Sequence, residues 1–158
     1  MLSKMENMAI RSIAMKKKAA DNKATEATAL STAMMLMAER SPGKGAMSLP
    51  PESFKNIYQF LSRVVNNYHK HIHVMIYSVI PEEDGIDLEQ AMEKFTSIVK
   101  ASLRQSDVIT RHGKNQVMIL LLKALPSDIE IVTERIEMNW EAEAISDFCK
   151  TTYEVSEI

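Results

Sequence analysis

From Pro51 onward the spacing of apolar residues changes several times, and each change predicts an element. Phe54, Ile57, Leu61, Val64 and Tyr68 recur at intervals of three and four, predicting an amphipathic helix to about His69. Pro51 fits its first turn, where a missing N–H is no loss. Ile72 to Ile80 is an apolar, β-branched run that reads as a buried strand, stopped by Pro81-Glu82-Glu83-Asp84-Gly85. Asp87 followed by Gln90 resembles a capping box and opens a helix whose inner face is Leu88, Ala91, Met92, Phe95, Val99 and Leu103. Val108 to His112, the turn residues Gly113-Lys114-Asn115, and the apolar run Val117 to Leu122 predict a β-hairpin. Ser127 with Glu130 is read as the cap of a helix bearing Ile129, Val132, Ile136 and Trp140, and Thr151 to Ile158 as a last strand.

After the first helix the order is strand, helix, strand, strand, helix, strand. That is the ferredoxin-like βαββαβ arrangement of an α+β domain, an antiparallel sheet with helices on one face. The two most apolar runs should be central strands, whereas Val108 to His112 and Tyr153 to Glu157, flecked with polar residues, suit edges.

Upstream, Ser3 to Glu39 contains no Gly or Pro and is rich in Ala, Met, Lys and Glu, which predicts one long helix or two with a break near Asp21-Asn22. Ala27, Leu30, Met34 and Met37 share a face, but Lys16, Lys17 and Lys23 interrupt the seam, so a packing stripe accounts for it better than a long coiled coil. Ser41-Pro42-Gly43-Lys44-Gly45 has the chemistry of a linker, and its Gly-Lys-Gly lacks the earlier Gly, following Ser or Thr and preceding strand of a phosphate loop. The organisation expected is a helical connector over 1–40, a linker over 41–50 and one domain over 51–158.

Composition narrows the classes further. The 158 residues are 46% hydrophobic, enough for one sizeable core. A net charge of −2 gives no general attraction to nucleic acid or to an anionic membrane. Residues 1–45 hold eight Lys or Arg against four acids, a balance of +4 that leaves −6 elsewhere, and the run Lys16-Lys17-Lys18 reads as a solvated helix face. The single Cys149 excludes an internal disulfide and lacks the neighbours of a zinc site. Ala29 to Ala38 is too short to span a bilayer and nothing before it is laid out as a signal peptide, so a cytoplasmic protein is expected. His69, His71 and His73 alternate and would share a face of an extended strand, but no carboxylate or Cys cluster accompanies them, so a solvated strand entry is preferred to a metal site. No Ser-His-Asp or Cys-His arrangement stands out.

The hairpin carries a resemblance. Arg104-Gln105-Ser106-Asp107, then five residues, then Gly113-Lys114-Asn115-Gln116-Val117 keeps the spacing of the GGDEF, or diguanylate cyclase, domains of bacterial signalling, which read R-x-x-D, five residues, then G-G-D-E-F. Ser48-Leu49-Pro50-Pro51 is similar to that family's opening T-G-L-P-N, with Glu52 where an Arg usually follows, and Tyr153 to Ile158 is similar to its late V-T-V-S-x-G strand. The likeness runs from Met47 to Ile158, ending where the family continues with a helix and a terminal strand, which implies a shortened or cut copy with a palm-like core.

What the resemblance implies about chemistry is mostly loss. The family's reaction needs a carboxylate on the first core strand and another in the signature turn, so that two Mg²⁺ ions can bridge triphosphate oxygens. Here the first position falls on about Ser78 and the acidic pair becomes Asn115 and Gln116, while Lys114 adds a side chain where backbone must approach phosphate and Pro81 to Gly85 replaces the guanine-holding segment. No metal, cofactor or cyclase activity is expected. The R-x-x-D motif survives. In the family it is an inhibitory site for cyclic di-GMP, implying a phosphate or guanine contact for Arg104, an acceptor role for Asp107 and an extra phosphate contact for Arg111. The plainer alternative is an ordinary Arg at a helix C-terminus with an Asp opening the next strand. Both side chains are expected at an exposed turn, so that replacing either would leave stability unchanged. Three functions stay open: a catalytically inactive signalling or interaction module joined to a protein partner or an upstream sensor or receiver domain, with a homodimer through the N-terminal helix; a cyclic di-GMP receptor; and an active nucleotide cyclase with displaced ligands.

Overall fold

The computed structural model describes residues 3–8, 28–39, 41–68 and 71–158. The chain separates into two compact units, Met1–Ser41 and Pro42–Ile158. In the first, residues 4–8 and 28–37 are helical; Asp21-Asn22 and the three consecutive lysines lie outside the described residues. Of the stripe read from the sequence, Leu30, Met34 and Met37 are exposed and Ala27 lies outside the described residues. No helix of the described residues is long and apolar enough to cross a membrane.

The second unit is an α+β domain built on a five-stranded sheet. Its elements are β1 (Met47–Ser48), α1 (Pro51–Tyr68), β2 (Ile72–Pro81), α2 (Leu88–Ser102), β3 (Val108–His112), β4 (Gln116–Leu122), α3 (Pro126–Glu141), a short 3₁₀ turn (Ala144–Phe148) and β5 (Cys149–Glu157). The strand order is β1-β3-β4-β2-β5. β2 and β4 are central, as their apolar runs require, and every pairing is antiparallel except the short parallel β1·β3 contact.

Period-two alternation along β2 separates two cores. Met75, Tyr77 and Val79 point to the face covered by α2 and α3, where they meet Phe95, Val99, Ile136 and Trp140. Phe95 stands edge-on to Tyr77 at 5.4 Å and to Trp140 at 5.2 Å between ring centroids, contacts worth about 0.5–1.5 kcal/mol each beyond area burial. Ile72 and Val74 point the other way, joining Leu120 and Val108 beneath Phe54, Ile57 and Leu61 of α1. The two helices of the βαββαβ repeat thus share one face, and α1 covers part of the face that the sequence reading left bare.

Several boundaries differ from the sequence reading for local reasons. Asp87 caps α2 as expected, its Oδ1 accepting from Gln90 N at 3.1 Å. At α3 the cap is not Ser127: Pro126 takes the first helical position, and Asp128 accepts from the Leu125 N–H at 2.9 Å. The segment read as a linker also has a part in the fold. Ala46 is buried and donates to Lys100 O at 3.0 Å, and a Cβ on Gly45, whose φ is +80°, would stand 2.1 Å from that carbonyl oxygen. Gly45 is there for close approach to α2, not for a ligand.

Candidate functional site

The β3·β4 hairpin has two ends, and the motif residues divide between them. At one end, Gly113 (φ +60°), Lys114 and Asn115 form the three-residue turn. Register places Gln116 opposite Ser78 on β2. Gln116 Nε2 donates to Ser78 Oγ at 3.0 Å. Asn115 Nδ2 donates to Val79 O at 3.1 Å, and Val79 N donates back to Asn115 O at 2.8 Å. The signature turn is therefore fastened to β2 by amide hydrogen bonds. Lys114 is exposed at the tip, and Val117 is fully buried on the core side.

This end does not fit a divalent cation. Mg²⁺ needs hard oxygen ligands with charge to offset its own. Ser78, Asn115 and Gln116 supply none, and both amides spend an N–H on a partner within the chain. Among the described residues no three His, Cys, Asp or Glu side chains are grouped to hold a metal ion. Of the alternating histidines, His69 lies outside the described residues. His71 is exposed with Nδ1 3.1 Å from Glu157 Oε1, whereas His73 is buried, so those two do not present a common open face.

At the other end stand Arg104 and Asp107. The carboxylate of Asp107, 1% exposed, accepts from Arg104 N at 3.0 Å through Oδ2 and from Leu122 N at 3.2 Å through Oδ1. The Arg104 side chain is half-exposed, with Nε 3.6 Å from Asp107 Oδ2 and Nη2 donating to Leu122 O at 2.8 Å. The expectation of two exposed side chains is corrected here: Asp107 is a buried tie between the end of α2 and the end of β4, because Leu122 N lies beyond Val108, the first residue of β3, and has no β3 residue to bond.

Arg111 does not join them. It lies about 13 Å further along β3 at ordinary strand rise, and its guanidinium forms a two-bond pair with Glu89 in the first turn of α2, at 3.0 and 3.1 Å. Those hydrogen bonds and the Arg111 charge hold the Glu89 carboxyl below its usual range. What does join Arg104 is Arg135, which sequence reading missed because about thirty residues and two strands separate them. Both line a cavity of about 110 Å³ together with Leu121, Ala124, Asp128 and Val132. Arg135 Nη1 donates to Ser102 O at 3.0 Å, which fixes the guanidinium at the cavity wall.

With that geometry in place, comparison with known proteins identifies the fold. No protein-family model matches the chain, and no curated protein sequence matches it. Solved structures do. A DGC protein from Thermotoga maritima superposes with a TM-score of 0.60 at 12% identity, over 74% of this chain and 85% of that one. The diguanylate cyclase SiaD from Pseudomonas aeruginosa, solved with its activator SiaC, gives a TM-score of 0.59 at 12% identity, over 98% of this chain and 63% of that one. The GGDEF domain of YfiN, also from Pseudomonas aeruginosa, gives 0.54 at 16% identity, over 69% of this chain and 75% of that one. The chain has the fold of GGDEF domains, and it spans less than two thirds of the SiaD chain.

Proposed function

We propose that this chain is a catalytically inactive GGDEF-like module that signals through protein contact. The observation that carries this reading is the Gln116–Ser78 hydrogen bond of 3.0 Å. The two positions from which the family would supply carboxylates are opposite each other in the β2·β4 register, and here both carry neutral side chains bonded to each other. A neutral hydroxyl and amide leave the phosphate charge of GTP uncompensated, and phosphoryl transfer depends on that compensation. SiaD, a neighbour solved in complex with its activator SiaC, is a precedent for contact with a protein partner. The N-terminal unit, with Leu30, Met34 and Met37 exposed, is the natural connector to a partner, to an upstream domain or to a second copy. Purified protein incubated with GTP and Mg²⁺ or Mn²⁺ is expected to make no cyclic di-GMP. Product above a no-enzyme control, resolved by chromatography, would instead support a cyclase with displaced ligands.

A second reading rests on the Arg104–Arg135 cavity. Two arginines lining one cavity suit a phosphate diester, for which bidentate charge-assisted contacts are strong. Cyclic di-GMP would reach Arg104 and Arg135 without Asp107, whose oxygens are already occupied by backbone N–H groups. Calorimetry with cyclic di-GMP should then give heat that is lost in both Arg104→Ala and Arg135→Ala but persists in Arg111→Ala. Each loss should weaken binding by about 2–5 kcal/mol if the contact is desolvated. No heat with the wild type at high micromolar ligand leaves the module facing proteins alone.

A further inference from the structure

β5 ends the sheet, and among the described residues its nine-residue outer edge pairs with nothing. Tyr153 and Val155, on the side of α2 and α3, are 43% and 41% exposed. On the opposite side Glu154 and Ser156 border an open groove of about 480 Å³ with Val74, Ile76 and Met118. A long edge with half-exposed apolar side chains is a template for strand addition.

The backbone states which groups are offered. Ile158 N donates inward to Ile72 O, and Phe148 O accepts from Glu82 N, both on the β2 side. The register between Cys149 and Glu157 is unbroken, so even-numbered residues bond to β2 and the N–H and C=O groups of Cys149, Thr151, Tyr153 and Val155 point outward.

Charge then selects a partner and a register. When a strand pairs antiparallel with its own copy about a two-fold axis normal to the sheet, opposing residues share a face, so the axis passes through a residue. An axis at Glu154 sets Glu154 against itself. Axes at Thr151 or Tyr153 set Lys150 and Glu154 against residues that carry no charge of opposite sign. An axis at Thr152 sets each Lys150 against Glu154 of the other copy, twice, and makes Thr151–Tyr153 and Cys149–Val155 the hydrogen-bonded pairs, which are the residues whose backbone groups point outward. We propose that β5 pairs antiparallel with β5 of a second copy of this chain about a two-fold axis at Thr152, joining two five-stranded sheets into one.

Cysteine cross-linking of the full chain reads this register. Thr152 would face its own copy in a non-hydrogen-bonded pair with Cα atoms about 4.5 Å apart, within reach of a disulfide. The native Cys149 is buried and opposes Val155, which makes the wild type a control. Under mild oxidation Thr152→Cys should give a covalent dimer, while Thr151→Cys and Glu154→Cys should not. By sedimentation, Lys150→Glu should weaken the dimer about tenfold, and the exchanged variant K150E/E154K should restore it to within about threefold. Cross-linking that is absent at 152 or equal at all three positions, or an exchanged variant no better than the single one, would overturn the proposal. A dimer held only by the N-terminal unit gives that negative result at 152.

Discussion

Replacing Asp107 by Ala should destabilise the domain by about 3 kcal/mol, the largest effect expected of any polar substitution in the hairpin. Its carboxylate is 1% exposed and accepts two backbone N–H groups from different elements. Hydrogen bonds to a charged group contribute about 1.5–3 kcal/mol each, and their loss leaves buried donors unpaired. For a domain of this size that corresponds to a melting temperature lower by about 10–20 °C. Asp107→Asn, which keeps an acceptor, should recover part of the loss. Arg104→Ala should cost far less, because its guanidinium is half-exposed and the backbone N–H that Asp107 binds is retained. Thermal unfolding of the three variants checks the order. Equal, small shifts for Asp107→Ala and Arg104→Ala would return Asp107 to the exposed turn that the sequence suggested. The result also bears on ligand tests, since a variant of Asp107 that fails to bind cyclic di-GMP has been altered in its fold before its recognition.

The contrast between Asp107 and the central strands shows what the sequence made legible. The runs over 72–80 and 117–122 read as central strands because their apolar content has no other use, and β2 and β4 occupy those places. The helix faces of α2, with Ala91, Met92, Phe95 and Val99 all fully buried, followed from spacing alone. The role of Asp107 did not, because Arg-x-x-Asp is equally consistent with an open ligand site and with a buried tie. What decides it is the unpaired Leu122 N–H fifteen residues away, and that depends on β3 being shorter than β4. Proximity in sequence suggests Arg111 as a companion of Arg104, yet a strand carries it to the far end of the hairpin, where it pairs with Glu89 at the start of α2. Arg135 was invisible for the opposite reason, being distant in sequence and brought in by the packing of α3 on α2. Spacing locates elements; it does not reveal which ends of them meet.

At the signature end of the hairpin, the double variant S78D/Q116E should turn a neutral pair into a cation-dependent one. The residues are opposite each other in register, so their Cα atoms stand about 4.5–5.5 Å apart and the two new carboxylates would share a half-buried site. Like charges at that separation destabilise the fold by about 1–3 kcal/mol at neutral pH. Each raises the other's folded pKa above the unfolded value, so stability is retained at acid pH and falls as pH rises through the raised value. A divalent cation that binds only the folded form reverses the penalty, by about 1.4 kcal/mol when its concentration is tenfold above its dissociation constant. Melting curves with and without Mn²⁺ should therefore show a metal-dependent gain in the double variant and none in the wild type, where Gln116 donates to Ser78. A comparable gain in the wild type would mean that the amides hold a cation after all, which would remove the basis for an inactive module and make turnover of GTP the question again.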